Sequence, residues 1–412
     1  MAHFCVLQIC AMLLGMENPF EFGRELGSEE LVNRTEEIET VRQTIESSGK
    51  LFVIGPRRFG KTSILKASAE KLQKEGNIIL RYNAEAFAEI DELVKKIIED
   101  SARLLKGSVE KTGELIKRYF KSLRPEISFS VTQSEWKSSI GVKSESSEQN
   151  IGLLVDALEG VEKMAAEQTG KRVALIIDEF QEILSSNGVT AEKQIRSAIQ
   201  THKNTAYIFA GSKTRLLTEM TTDASRPFYR LGTLLFIGEL PRGEFSRFLL
   251  DKFTFGDFFP PKSDKKERLD LTLKILDVAE DVPYNVQMLA HSLWNRLSQI
   301  KLGSPENAFL SENLIDETLE KILRQTDPFY TQIWNGLTTI QKKALTAVVA
   351  ENGQNLQSIE VTRKTKVSPS SMRRALESMS SQDILRHEEK IGTIRYRFED
   401  PFFAHWINLF AA

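Results

Sequence analysis

Eight consecutive residues, Gly55, Pro56, Arg57, Arg58, Phe59, Gly60, Lys61 and Thr62, follow the spacing G-x-x-x-x-G-K-[ST]. An apolar, strand-forming run, Leu51 to Ile54, precedes them, and a helix-forming run, Ile64 to Gln73, follows. In that setting the two glycines let the backbone wrap closely around phosphate oxygens. Successive N–H groups at the start of the helix then point at the negative charge. Lys61 is placed to reach the β- and γ-phosphates, and the Thr62 hydroxyl to coordinate magnesium. Together with Ser63, the segment is the expected seat of ATP with Mg2+. A merely glycine-rich strand-to-helix turn is the alternative, and a second motif weighs against it.

That motif is VALIIDEFQ, in which an apolar strand delivers Asp178 and Glu179 to its C-terminal end, where ligands bind in open α/β sheets. Asp178 is expected to hold magnesium, directly or through water. Glu179, one residue on and so pointing elsewhere, is expected to orient and polarise the water that attacks the γ-phosphate. A strand-end acidic turn is common by itself; paired with the upstream glycine motif it reads as a nucleotide site. A further strand, YIFAGSK, ends in Gly211, Ser212 and Lys213. If it lies between the glycine-motif strand and the Asp178 strand, Ser212 falls near the γ-phosphate as a sensor; otherwise it is an ordinary polar strand end. In SRPFYR, Arg230 is a candidate for supplying positive charge to the transition state, in cis or toward a neighbouring subunit, while Arg226 reads as a surface arginine.

These residues need a scaffold, and alternation supplies one. Short β-rich runs at Leu51 to Ile54, Ile78 to Tyr82, Val173 to Ile177, Ala206 to Ala210 and Leu234 to Ile237 are separated by longer amphipathic stretches. This predicts an α/β fold with a parallel sheet flanked by helices. An insertion at about residues 85–150 interrupts it, with helical spacing over Asp91 to Leu105 and Thr112 to Leu123 and a β-hairpin pattern over Ile127 to Val142. Ser144 to Gln149 reads as a polar linker into a helix from Ile151 to Gln168. The core is expected over 16–237, a helical lid over 238–330, and a winged-helix domain over 331–412. The last rests on three helical patterns and two short strands around Gly392.

At 412 residues, two or three domains of ~100 to 200 residues each are expected. A formal net charge of -2 gives the whole chain no bias toward nucleic acid or an anionic membrane surface, so any DNA contact must be local. Two cysteines, Cys5 and Cys10, and five scattered histidines argue against a disulfide framework or a zinc site. The apolar segment Met1 to Gly15 lacks a basic start and a small-residue cleavage site, which suits a secretion signal poorly. Residues 1–15 are expected to be a non-native or disordered extension, with the functional chain opening at Met16. That leaves a cysteine-free protein suited to a reducing cytoplasm, and no membrane span is expected.

At these motifs the chain resembles the archaeal-type ATPases within the STAND division of AAA+-like P-loop proteins. The likeness runs from about Asn18 to Leu409. It is carried by NPFEFGRELGSEELVNRTEEI, GPRRFGKTS, LIIDEFQ, FAGSK followed by PFYR, DVPYNVQMLA, and IRYRFEDPFFAHWI. The resemblance implies a P-loop sheet of the hydrolysing, additional-strand type. It implies that Asn33 and Arg34 lie against adenine and ribose, and that Pro283 lies near the nucleotide, although Asp281 stands where that family's element has glycine. Nucleotide-controlled switching, often with homo-oligomerisation or a protein client, is the implied role.

Three readings follow. The first is an ATP-hydrolysing conformational switch binding ATP and ADP. The second is a DNA-binding initiator or loader-like ATPase, using Arg363, Lys366, Arg373 and Arg374 of the winged helix on phosphates and a major groove. Nearby Glu377, Asp383 and Glu388 dilute that basic field. The third is a nucleotide-locked scaffold with little turnover.

Overall fold

The structure, a computed structural model, describes residues 17–27, 30–105, 109–121, 127–132, 135–140, 147–185, 188–390 and 393–411. The expected extension 1–15, the opening at Met16 and the Gly392 turn lie outside the described residues. Strands run as β1 (Lys50–Ile54), β2 (Ile78–Asn83), β3 (Ile127–Thr132), β4 (Glu135–Ile140), β5 (Val173–Asp178), β6 (Thr205–Gly211), β7 (Thr233–Phe236), β8 (Leu385–Lys390) and β9 (Thr393–Phe398).

Two compact units emerge. One comprises Glu25–Pro56 and Gly60–Gly238 and is built on a five-stranded sheet in the order β2-β5-β6-β1-β7. Every neighbouring pair in it is parallel. The sequence dictates this arrangement: VALIID and TAYIFAG are buried at every position, as strands covered by helices on both faces must be. β7, at one edge, is only partly buried. β6 lies between β5 and β1, which is the order the hydrolysing branch requires.

The helix Lys61–Lys74 buries Ile64, Leu65, Ala67, Ser68 and Leu72. Ile90–Leu104 turns Leu93, Val94, Ile97, Ile98, Ser101 and Ala102 inward, the i, i+3/i+4 spacing of one apolar stripe. In the insertion β3 and β4 pair antiparallel, as the hairpin pattern anticipates. The following helix begins at Ser147, four residues before the expected start. Its first turn, Ser-Glu-Gln-Asn, has no apolar spacing to announce a helix.

The other unit comprises residues up to Arg24, the three residues Arg57–Phe59, and Glu239–Ala412. Helices Arg242–Phe255, Lys265–Val278, Pro283–Gly303 and Glu312–Gly336 lead into Thr339–Ala350, Ile359–Thr365 and Pro369–Ser381, then the antiparallel β8–β9 hairpin and the helix Pro401–Trp406. Side-chain caps start many of them: Asp264 and Thr338 form reciprocal capping boxes with Glu267 and Gln341, and Ser311, Ser358 and Ser368 cap singly. Glu312–Gly336 runs through Pro328, so the boundary expected between residues 330 and 331 falls inside a helix.

The leader segment belongs to this unit. Phe20 is fully buried against Phe253 and Trp294, and Asn18 Nδ2 donates to the His291 carbonyl at 3.0 Å. No helix among the described residues is long and apolar enough to cross a membrane.

Candidate functional site

β1 ends at Ile54 and the chain turns at Gly55. A Cβ on Gly55 would lie 2.4 Å from the Ile237 carbonyl oxygen, closer than any such pair allows. The first glycine of the motif is therefore needed by the strand-end neighbour as well as by any phosphate. Gly60, at φ +89°, precedes the helix that opens with Lys61. The Lys61 ammonium is buried and donates to the Pro56 carbonyl at 2.9 Å.

Thr62, in the first turn, donates its hydroxyl to Asp178 Oδ2 at 2.6 Å. Asp178 is fully buried at the end of β5, and its Oδ1 accepts from the Glu179 backbone N–H at 3.0 Å. Burial pushes its carboxyl above the usual range, against the opposing pull of Thr62 and Lys61. Two oxygen donors stand together here, one of them a buried carboxylate with few hydrogen bonds to hold its charge. This set fits magnesium, which takes one or two protein oxygens and completes its shell with phosphate and water. No group of three or more His, Cys, Asp or Glu that could hold a metal exists among the described residues.

Glu179 leaves the strand at φ +49°, in the left-handed region that costs a residue with a Cβ of order 1–3 kcal/mol. The turn brings its carboxylate to β6. Glu179 Oε2 accepts from Ser212 Oγ at 2.8 Å, from the Ser212 N–H at 3.2 Å and from Gln181 Nε2 at 2.5 Å. Burial acts to raise this carboxyl, but Gln181, Lys61 and Ser212 outweigh it and hold the group below its ordinary range. A carboxylate so stabilised is a weak base, suited to orienting a water rather than to removing a proton early. Lys61, Thr62, Asp178, Glu179 and Ser212 are thus brought together at one sheet edge, with the Ser63 hydroxyl alongside accepting from the Leu26 N–H at 3.1 Å.

Other candidates have different surroundings. Arg34 is buried, its guanidinium held by Glu37 at 2.7 Å and by the Gly238 carbonyl at 2.7 Å; Asn33 beside it has φ +32°. Arg226 does not lie loose on the surface: it pairs through both Nε and Nη2 with the buried Glu192. Arg230 stacks its guanidinium over Tyr229, 5.1 Å from the ring centroid. Arg196 donates to the Tyr229 carbonyl at 3.0 Å and so fixes this turn.

In the second unit, Arg58 Nη1 pairs with Asp400 Oδ2 at 2.5 Å, and the Arg58 guanidinium lies 5.1 Å from the Tyr284 ring centroid. Arg57 lies 3.7 Å from Asp383, and Arg386 covers the Phe59 ring. Pro283 opens the helix Pro283–Gly303, one residue before Tyr284, whose N–H donates to the Arg58 carbonyl at 3.3 Å. Arg363, Lys366, Arg373 and Arg374 are exposed, and Arg373 is engaged by Glu377 at 2.8 Å. Sequence reasoning missed Gln181 and Asp400. Gln181 is visible in the quoted LIIDEFQ, but no spacing rule assigns it a partner.

A model of an ATPase domain predominantly from Archaea matches residues 31–229, and one of a probable winged helix domain matches residues 328–409. Among solved structures, the Walker-type ATPase paby2304 of Pyrococcus abyssi is similar with a TM-score of 0.61 at 15% identity, over 95% of this chain and 100% of that one. The Aeropyrum pernix ORC2 protein, solved as ADPNP–ADP complexes, is similar with a TM-score of 0.53 at 14% identity, over 96% and 97%. At those identities the likeness is one of fold. No curated protein matches by sequence. Residues 31–229 thus match an archaeal ATPase domain and residues 328–409 a winged helix domain.

Proposed function

We propose that this chain binds ATP with magnesium at the carboxyl edge of its parallel sheet, hydrolyses it, and uses the cycle as a conformational switch. The observation that carries this reading is the 2.6 Å hydrogen bond between Thr62 and Asp178, formed beside the Glu179 carboxylate. Thr62 and Asp178 would hold magnesium, which when bound neutralises charge on the β- and γ-phosphate oxygens. Gly55 to Ser63 would wrap the phosphates. Lys61 would exchange the Pro56 carbonyl for phosphate oxygens, and Glu179 would orient the attacking water. Ser212 holds Glu179 and so acts beside the γ-phosphate. Arg230 is the arginine left to offer charge to the transition state, because Arg226 is committed to Glu192.

A ligand drives a conformational change only through different affinities for the two states. The Lys61–Pro56 hydrogen bond supplies one such difference, since phosphate must displace it. Multiple-turnover phosphate release tests the reading. Lys61→Ala should lose nucleotide affinity, whereas Glu179→Gln should keep it and turn over ~100-fold more slowly or worse. Equal turnover in Glu179→Gln and the parent removes Glu179 from this role. Tight ATP binding without turnover in the parent favours the nucleotide-locked scaffold.

The second reading, DNA control by ATP, has one favouring observation: the exposed Arg363, Lys366, Arg373 and Arg374 of the winged helix domain. Ion pairing of Arg373 with Glu377 and of Lys364 with Glu351 and Glu360 weakens the field they offer. Salt-dependent DNA binding that is lost when Arg373 and Arg374 become alanine supports this reading; binding that ignores salt, or is absent, rejects it.

A further inference from the structure

We propose that Gln181 is the positioning residue of the hydrolytic reaction, its buried side-chain amide fixing one oxygen of Glu179 so that the other meets the attacking water. The inference rests on the hydrolytic reading above and deepens it. Gln181 is 1% exposed and opens the short helix Gln181–Ser185, two residues beyond Glu179. Along a regular strand, side chains two apart share a face but stand apart; here the left-handed turn at Glu179 folds the two together. The Gln181 amide then donates to Glu179 Oε2 at 2.5 Å. Ser212 donates twice to the same oxygen. Three donors converge on Oε2, which leaves Oε1 as the oxygen to accept from water.

Two independent features mark the amide as built for this purpose. The first is the space it occupies. A Cβ on Gly211 would lie 2.1 Å from Gln181 Oε1 and 2.6 Å from Leu217 Cδ1, so a side chain at the end of β6 would push the amide from its place. The second is the amide's own imbalance. Gln181 Oε1 is buried without a hydrogen-bond partner, a state that costs stability. Turning the amide over would aim that carbonyl at the carboxylate, so the donor is held toward Glu179. Packing alone would be served by methionine or leucine with no buried polar atom. A stability cost kept beside a reacting carboxylate is the pattern expected of a functional group.

The test uses the full chain and steady-state hydrolysis. Gln181→Met keeps the shape and removes the donor. It should lower kcat about 10- to 100-fold, within the usual contribution of a positioned acid–base group. KM and nucleotide affinity should stay within about twofold, because the lost contact acts on the water and not on bound ATP. Thermal stability should be unchanged or raised, since the unsatisfied carbonyl leaves with the donor. A residue that only supports the fold would move stability and leave the kcat-to-KM split untouched.

Gly211→Ala supplies the second variant. It leaves Gln181 in the sequence but displaces its amide, so it should lower kcat on its own. In the Gln181→Met background it should add little further loss, because both changes remove one interaction. A parent-like kcat in Gln181→Met overturns the inference, as does full additivity of the two changes. Absence of Lys61-dependent turnover in the parent chain sinks the hydrolytic reading itself, and this inference with it.

Discussion

Two carboxylates, one in each unit and one of them partly exposed, show opposite designs. Asp178 is fully buried and has only the Thr62 hydroxyl on one oxygen and the Glu179 N–H on the other. Asp400 is saturated. Its Oδ1 accepts from Asn285 Nδ2 at 2.7 Å and from the Phe402 N–H at 3.1 Å, and its Oδ2 takes the Tyr330 hydroxyl at 2.8 Å and the Arg58 guanidinium at 2.5 Å. A carboxylate with every lone pair engaged has nothing left for a ligand and acts as a fastener. One that is desolvated and half-served holds its charge less readily than a carboxylate in water. The first ties its own unit together; the second is the carboxylate proposed to hold a cation.

Asparagine at the two positions should break this comparison most sharply. Asp178→Asn should lower magnesium-dependent hydrolysis about 100-fold or more, comparable to losing a positioned catalytic group. Its thermal stability without nucleotide should be equal to or above the parent's. The sign follows from the raised carboxyl: the folded state binds this proton more readily than the unfolded one, so the stability this group contributes is fully present below its unfolded-state range. It falls as pH rises from the unfolded-state range through the folded one, and the asparagine variant should lack that fall. A variant that unfolds more readily than the parent at neutral pH would show Asp178 to be a fastener after all.

Asp400→Asn should do the reverse. It leaves the Arg58 charge without its partner and turns one acceptor into a donor facing other donors. A loss of about 2–4 kcal/mol is expected, below the full penalty for a fully buried pair because Arg58 is partly exposed. Chemical denaturation followed by a probe in the C-terminal unit, such as tryptophan fluorescence from Trp406, would measure it. An unchanged midpoint would mean the four donors do not depend on the charge.

These two carboxylates also mark what could be read from residues alone. Asp178 was legible as a strand-end carboxylate because five apolar residues, Val173 to Ile177, announce where the strand ends. Asp400 was not, because its partners come from Asn285 and Tyr330, separated from it by 115 and 70 residues. No periodicity joins positions that far apart. Tyr330 itself sits in Glu312–Gly336, a helix hidden from a sequence reading by Pro328 in its interior. Gln181 falls between the cases: its residue type was in plain view, but its function comes from a left-handed turn at Glu179 that sequence spacing does not report. The parallel sheet was readable from the apolar runs of β5 and β6, whereas the place of β6 in it was left conditional on the residues and came only from the resemblance. Arg226 was misread as a surface residue because its partner, Glu192, lies on another helix and is buried.

A smaller test sharpens the role of Asp400. Tyr330→Phe removes one of its donors, with the hydroxyl's contact to Thr326, and leaves the ring stacked on Phe403 at 5.2 Å. Burial and the neighbouring carboxylate push the Tyr330 hydroxyl far above its ordinary range, so it stays protonated as a donor at every practical pH. The expected loss is about 1–2 kcal/mol, that of a hydrogen bond to a charged acceptor, and it should not vary with pH across the neutral range.

The smallest effect serves as the control for burial. Arg373 and Glu377 form an arginine–carboxylate pair at 2.8 Å, one turn apart on Pro369–Ser381, with both side chains open to solvent. Chemically it is the same pair as Arg58 and Asp400. In water, though, the attraction is screened and the entropy of holding two long side chains offsets it. Arg373→Ala should therefore leave the unfolding midpoint where it is within experimental scatter, in low salt and in high. If that exposed change destabilised the unit as much as Asp400→Asn, burial would not be what separates fasteners from bystanders, and the contrast between Asp400 and Asp178 would need another cause.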